Sequence, residues 1–338
     1  MIAGRITVLR NVSYVPCGQQ SRALKTQNIV GYLSIFPHYY THLCPMMEEV
    51  DMGALTKEQQ DKFWADGVLV VEDAVSATDL AQLRIVFESW LDESRSHSKD
   101  YGETLDGRPR FDLQPGHTSD KPALRRVQSP EEISESFANV MRTARTVDYC
   151  LDLLGPNIKF HHGKVNSKLP GAATEVKWHQ DFPFQPMTND DIITCLLFLD
   201  DVTLENGPLE VIPGSHKGPL YSHWHDGVFT GAVDPKIVEE QRSKIVSCTG
   251  KAGAVCLMHS SLLHGSAPNL SQQARTLYIT TYYAEDAIEL SPNHLPSRFT
   301  HELVRGVVTG TVRCSAYDMP LPAVPTGTSF FAQQEAAQ

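Results

Sequence analysis

A chain of 338 residues with 40 acidic and 29 basic side chains carries a net charge of -11, which weighs against nucleic acid or an anionic membrane as its main partner and favours a small-molecule substrate. No run of 18 apolar residues is present to span a bilayer. The seven cysteines are scattered without any CxxC pair, which disfavours a disulfide framework and a zinc ribbon and suits a reducing, cytoplasmic setting.

Residues 1–47 hold Arg5, Arg10, Arg22 and Lys25 but no acid, and Glu48, Glu49 and Asp51 then arrive together. This N-terminal extension has the composition of a transit peptide, which leaves organellar import open. The alternative is a true start at Met46, Met47 or Met52, favoured because no amphipathic stripe runs through the segment. On either reading the extension is expected to be disordered.

From Leu55 the pattern is that of a folded domain. Residues 56–67 predict a short helix closed by Gly67, and 68–72 predict a strand. Ser76 and Asp79 resemble a capping box, opening a helix with Leu80, Leu83, Phe87, Trp90 and Leu91 on one face. Residues 95–128, polar and rich in Gly and Pro, read as a long loop of the kind that covers active sites. A single helix is predicted over about 134–154, ending at Gly155 and Pro156. Short strands are then predicted at 159–166, 176–181, 192–199, 209–212, 254–259 and 276–283. Helices followed by many short strands imply a mainly β fold with flanking helices: a double-sheet jelly roll in one domain over 55–318, with a flexible tail over 319–338. Nothing in the pattern sets an oligomeric state.

The most informative run is His179-Gln180-Asp181. Residues two apart on a strand share a face, so His179 and Asp181 can grip one ion while Gln180 points away. A third ligand from a distant strand completes a facial triad that leaves three positions open on an octahedral metal, the arrangement of non-haem iron oxygenases. His264 is the candidate; His216, His223, His225 and His259 are rivals, and a solvated or lid role is the safer reading for His223 and His225.

Four ordered blocks carry a family resemblance: Phe63 to Val71, Trp178 to Asp181, Glu205 to His216, and His264-Gly265-Ser266-Ala267-Pro268-Asn269 followed by Arg275. Together they resemble the phytanoyl-CoA hydroxylase family, which includes ectoine hydroxylase, over roughly 55–283. The resemblance implies a double-stranded β-helix (jelly roll, cupin-like). It also implies iron(II) on His179, Asp181 and His264, with 2-oxoglutarate and O2 as cosubstrates. The activity expected is hydroxylation of an unactivated C–H bond of a small organic substrate, with release of succinate and carbon dioxide. Halogenases of the superfamily carry a small residue in place of the carboxylate, so Asp181 favours oxygen transfer. No catalytic residue beyond the metal ligands is required.

The far carboxylate of 2-oxoglutarate needs a fixed cation, and Arg275, eleven residues after His264, is placed for a bidentate pair. Ser266 and Thr194 are hydroxyl candidates for the same carboxylate. The resemblance adds Asn166 as a cosubstrate contact. His162 and Lys164 stand where ectoine hydroxylase has glutamine and arginine, which puts ectoine itself in doubt. Expected substrate walls are His162, Lys164, Phe182, Phe184 and Gln185, with 224–229, including Trp224, as a lid. Arg125, Arg126, Arg298, Arg305 and Arg313 are weaker candidates for a substrate acid and are read first as surface cations. Two other classes stay open: a silent metal- and 2-oxoglutarate-binding jelly roll serving as sensor or scaffold, and a cupin-like metalloenzyme without oxidation.

Overall fold

The computed structural model describes residues 53–170 and 175–323; the extension over 1–47 and the tail from 324 onward lie outside the described residues. Thr56 opens α1 (Lys57–Asp66) with a full capping box: its side chain accepts from the Gln59 amide and the Gln59 side chain returns to the Thr56 amide, an arrangement worth about 1 kcal/mol. Gly67 ends the helix at φ 78, a left-handed position that favours glycine. β1 (Val68–Val71) follows, then α2 (Ala77–Glu93), capped by Ser76 and burying Leu83, Phe87 and Trp90. Only half of the expected Ser76–Asp79 box forms, because the Asp79 carboxylate accepts from the Ser76 hydroxyl at 2.7 Å.

Two expectations are corrected here. The stretch 95–128 contains two strands, β2 (Phe111–Leu113) and β3 (Leu124–Gln128), which pair with each other and extend the main sheet. They are too short for a periodic signal and are embedded in turn-forming sequence. The single helix over 134–154 is two, α3 (Glu135–Thr143) and α4 (Arg145–Leu154), because Ala144 swings out to ψ 151. No Gly or Pro marks that break, so the apolar rhythm reads straight through it.

The remaining strands are β4 (Ile158–Lys168), β5 (Val176–His179), β6 (Ile192–Phe198), β7 (Leu209–Val211), β8 (Trp224–His225), β9 (Val228–Phe229), β10 (Val246–Cys248), β11 (Val255–His259), β12 (His264–Ser266), β13 (Arg275–Ala284) and β14 (Leu303–Arg305). The large sheet runs β1-β11-β6-β13-β4-β3-β2, with β14 also on β4; the small one runs β10-β7-β12-β5. Every named pairing is antiparallel.

β13 shows how the layers form. Its Leu277 and Ile279 join Leu196, Phe198 and Met258 of the large sheet with Leu209, Val211 and Cys248 of the small one. The alternate residues Tyr278 and Tyr282 pack on the other face with Phe63, Phe87, Phe137 and Val147 of the helices. Period-two alternation thus sends one row into the roll and the other under a helical layer. The result is the double-sheet jelly roll.

Candidate metal centre

β5 ends at His179 and β12 begins at His264, and these two residues are direct cross-strand partners with ring centroids 4.1 Å apart. Each ring is held from behind: the Nδ1–H of His179 donates to the Lys177 carbonyl at 2.7 Å, and that of His264 to the Leu262 carbonyl at 2.9 Å. That fixes both tautomers with Nε2 lone pairs aimed at a common point. Asp181 supplies Oδ1 at 3.5 Å from each Nε2. Among the described residues, His179, Asp181 and His264 are the group whose ligand atoms converge, all within 4.8 Å of one another.

The expected strand through Asp181 stops at His179; Asp181 sits in a helical turn at φ -72, ψ -36 before the short turn Phe182–Phe184. The carboxylate therefore reaches the site from a turn and not from the pleat. Gln180 points away as expected. Its side-chain amide donates to the Ser261 carbonyl at 2.7 Å, and its oxygen accepts from the Tyr221 amide at 2.8 Å. Burial alone would raise the Asp181 carboxyl, but His264 and His179 hold it well below the usual carboxylate range. Burial, helped by His179, pushes His264 down to about 4. A carboxylate and neutral imidazoles are the ligating forms, so the donor set fits a divalent iron with three positions left for other ligands.

The rival histidines are engaged elsewhere. His216 and His259 pack on each other at 5.1 Å; His216 Nε2 donates to the Trp64 carbonyl, and His259 lies 3.9 Å from Asp190. His225 donates to the Ala232 carbonyl at 2.8 Å. His223 corrects the solvated reading, for it is buried beside the triad. Its Nε2 accepts from the Gln180 amide, and its ring lies 6.5 Å from His179 and 5.2 Å from Phe184.

At the far end of β13, Arg275 is the register partner of Lys168, the last residue of β4. Arg275 Nη2 donates to the Gly207 carbonyl at 2.8 Å, while its buried Nε has no partner. Lys168 Nζ donates to the Ser266 hydroxyl at 2.8 Å and to the Ser266 and Ala267 carbonyls. Burial brings Arg275 down to about 10, and burial together with Arg275 brings Lys168 down to about 7. Two buried cations and a hydroxyl around one spot form a cradle for an anion. Lys168 escapes the sequence reading because the predicted strand ends at 166; its signal is the inward row His162, Lys164, Asn166 running two residues further.

Thr194 is corrected. Its hydroxyl donates to Asp181 Oδ2 at 2.8 Å, and its register partner on β13 is Thr281, about 20 Å along that strand from Arg275. Asn166 does face inward, accepting from Arg126 Nε at 3.1 Å. Arg126 is accordingly a buried strand residue and not a surface cation. Arg125 pairs with Asp112 at 2.6 Å, Arg305 with Asp148 at 3.0 Å, Arg313 with Asp286 at 3.0 Å, and Arg298 donates to the Glu132 carbonyl.

Of the expected walls, Phe182 is corrected: it is fully buried with Met187, Ile192, Tyr283 and Ala287, and serves the core. Phe184 instead stands 5.8 Å from His179. Gln185 is buried with its Oε1 unpaired. Residues 224–229 form the hairpin of β8 and β9. Trp224 donates to the Leu321 carbonyl and packs on Phe229, which in turn reaches Phe184 at 5.3 Å. The start of the expected flexible tail is thereby tied to the hairpin. His162 and Lys164 both lie on the inward face of β4. His294, unmarked by any motif, packs 5.1 Å from His162 and 5.9 Å from Phe184.

Known proteins share this arrangement of blocks. The family model described as Phytanoyl-CoA dioxygenase (PhyH) matches residues 63–277. The chain is similar to the "Probable alpha-ketoglutarate-dependent hypophosphite dioxygenase" of Stutzerimonas stutzeri, 34% identical over 235 residues that cover 68% of this chain and 79% of that one. It is also similar to the L-proline trans-4-hydroxylase of Streptomyces griseoviridis, 30% identical over 242 residues, 65% and 84% of the two chains. Among solved structures, EctD from S. alaskensis with bound Fe aligns with a TM-score of 0.61 at 24% identity, covering 75% of this chain and 90% of that one. The same protein with 2-oxoglutarate and 5-hydroxyectoine gives 0.58 at 25% identity, with 82% and 91% covered.

Proposed function

Since the chain belongs to the phytanoyl-CoA dioxygenase (PhyH) family and is a 2-oxoglutarate-dependent dioxygenase, we propose that iron(II) is held by His179, Asp181 and His264, with 2-oxoglutarate in the cradle of Arg275, Lys168 and Ser266. The observation that carries this reading is the convergence of two Nε2 lone pairs and one carboxylate oxygen within 4.8 Å. With iron bound, O2 converts 2-oxoglutarate to succinate and carbon dioxide while one oxygen atom enters the substrate.

The chain's own residues do the rest. Thr194 and the Lys177 and Leu262 carbonyls orient the three ligands. Arg275 and Lys168 neutralise the far carboxylate of the cosubstrate. On β13 the inward residues between Arg275 and Thr281 are Leu277 and Ile279, an apolar path that suits a methylene chain and excludes water. Phe184, His223 and Phe229 wall the substrate side, and the β8–β9 hairpin covers it.

A small molecule fits a site so enclosed, and the names of the two relatives above specify small substrates, hypophosphite and L-proline. One oxygenase domain over 55–318 accords with the single unit formed by Asp51–Gln338. No helix among the described residues is long and apolar enough to cross a membrane. A cytoplasmic location accords with free thiols such as Cys150 and Cys195, which share a thiol hydrogen bond at 3.4 Å.

Anaerobic titration with iron(II) and 2-oxoglutarate tests the reading, followed by succinate measurement on admitting oxygen. One iron per chain and oxygen-dependent succinate are expected, both lost in Asp181→Ala. Iron binding that survives Asp181→Ala, or turnover that persists without oxygen and 2-oxoglutarate, refutes it.

A further inference from the structure

Lys164 lies in the middle of β4 on the face turned into the roll, flanked by His162 and Asn166 and opposite Ile279 of β13 and Gln128 of β3. Its ammonium has no hydrogen-bond or ion-pair partner among the described residues. Burial and the neighbouring Arg126 hold it down to about 8. The carboxylate that acts on it, Asp181, is committed to the metal and to Thr194. Asp112, near Arg126, is already paired with Arg125.

The surroundings of Lys164 are continuous with the metal site. His162 packs on His294, His294 on Phe184, and Phe184 on the ligand His179. The buried His294 Nδ1 has no partner. Burial keeps both His162 and His294 well below their ordinary range, so neither brings a negative charge nor a lasting positive one. An ammonium without a hydrogen-bond or ion-pair partner, set among neutral imidazoles, is unfavourable until an anion reaches it. The far carboxylate of 2-oxoglutarate is not that anion, because its cations Arg275 and Lys168 lie about 13 Å further along β4; its metal-chelating carboxylate is the rival for Lys164, which is the register partner of Ile279, and the 2-oxoglutarate affinity of a Lys164 variant decides between the two.

Resting on the functional reading above, we propose that the substrate is a small oxyanion, a carboxylate or a phosphorus oxyanion, whose charged group is held by Lys164 in the pocket walled by His162, His294 and Phe184. Lys164 is then a specificity-determining residue: it selects for charge and sets which end of the substrate turns toward the metal.

The test uses the full chain loaded anaerobically with iron(II) and 2-oxoglutarate, titrated calorimetrically with hypophosphite, acetate and L-proline, with glycerol as the uncharged control. At least one of the three probes, each of which carries an oxyanion group, is expected to bind with a Kd below about 1 mM, a threshold corresponding to about 4 kcal/mol; glycerol is not. Lys164→Met should weaken that binding by about tenfold or more, Lys164→Arg should retain it, and iron and 2-oxoglutarate affinities should stay as in the parent. These last two measurements also report that each variant is folded, and Lys164→Gln provides a second neutral substitution. Hypophosphite alone binding assigns the phosphorus source; acetate or proline binding assigns the carboxylate; either supports the proposal. Three silent probes on a protein that does bind iron and 2-oxoglutarate overturn it. A Lys164→Met variant that loses 2-oxoglutarate affinity also overturns it, by giving the ammonium to the cosubstrate. Failure of the parent chain to bind iron or 2-oxoglutarate refutes the functional reading itself, and this proposal with it.

Discussion

The Thr194 hydroxyl donates to Asp181 Oδ2 at 2.8 Å while Asp181 Oδ1 stands 3.5 Å from Nε2 of both His179 and His264. One oxygen of the carboxylate is held by the protein and the other faces the metal. Thr194→Val removes the anchor but keeps the shape, and loss of such a supporting bond typically costs 10–100-fold in metal affinity. Iron(II) titration of Thr194→Val should show a drop of about that size, with Thr194→Ser close to the parent. Equal iron affinity in the valine variant would remove this role.

The Arg275–Lys168 cradle predicts unequal losses. Arg275→Ala removes a buried partner of a charged ligand, a change of about 2–5 kcal/mol, so 2-oxoglutarate affinity should fall at least about 30-fold. Lys168→Met should cost about tenfold, because it removes a nearby buried positive charge and the bond that holds the Ser266 hydroxyl in place. Unchanged affinity in the lysine variant would leave Lys168 only its Ser266 and Ala267 contacts.

Phe182 belongs to the core and not to the substrate wall. Phe182→Ala should cost about 3–5 kcal/mol of stability in chemical denaturation, whereas Phe184→Ala should leave stability nearer the parent and alter substrate binding. A small stability loss at Phe182 would contradict its burial.

Stability should also depend on pH. Burial pushes His259 down to about 4 from its ordinary 6.5. Between those values the unfolded chain takes up a proton that the folded chain refuses, so the contribution is intact above about 6.5 and declines as pH falls toward 4. The metal-free protein should therefore show a falling melting temperature from about pH 7 to about pH 5, with a shallower slope in His259→Gln. Identical slopes would exclude His259 as a source of the effect.

The features of the site legible in the sequence are those with fixed spacing. His179, Asp181, His264 and Arg275 lie in short blocks whose resemblance to those of the family points to one centre, and alternation along β4 turns His162, Lys164 and Asn166 inward, as the structure has them. Several of the failures lie where a strand ends sooner or later than its pattern suggests. The chain leaves β5 at His179 and enters a turn, so of Phe182 and Phe184, both expected in the wall, Phe184 meets the ligand His179 and Phe182 goes to the core. β4 runs to Lys168 instead of stopping at Asn166. Thr194 has the right chemistry for a site residue, but its partner is set by how β6 crosses under that same turn. His223 and His294 come from irregular segments, where no periodicity reports burial. Strands such as β12, three residues long, are below what a pattern can resolve, although β12 begins with a ligand.

The pairing of His179 with His264 across β5 and β12 has a bearing on how the chain reaches its native state. A slip of one residue between paired strands turns every side chain to the opposite face, and here it would separate a pair of ligands that serve the same ion. Only the native alignment can chelate, and whatever binds the native form alone draws the population toward it. A metal held by this pair would therefore favour one strand alignment over its one-residue slips, which would turn the two rings to opposite faces.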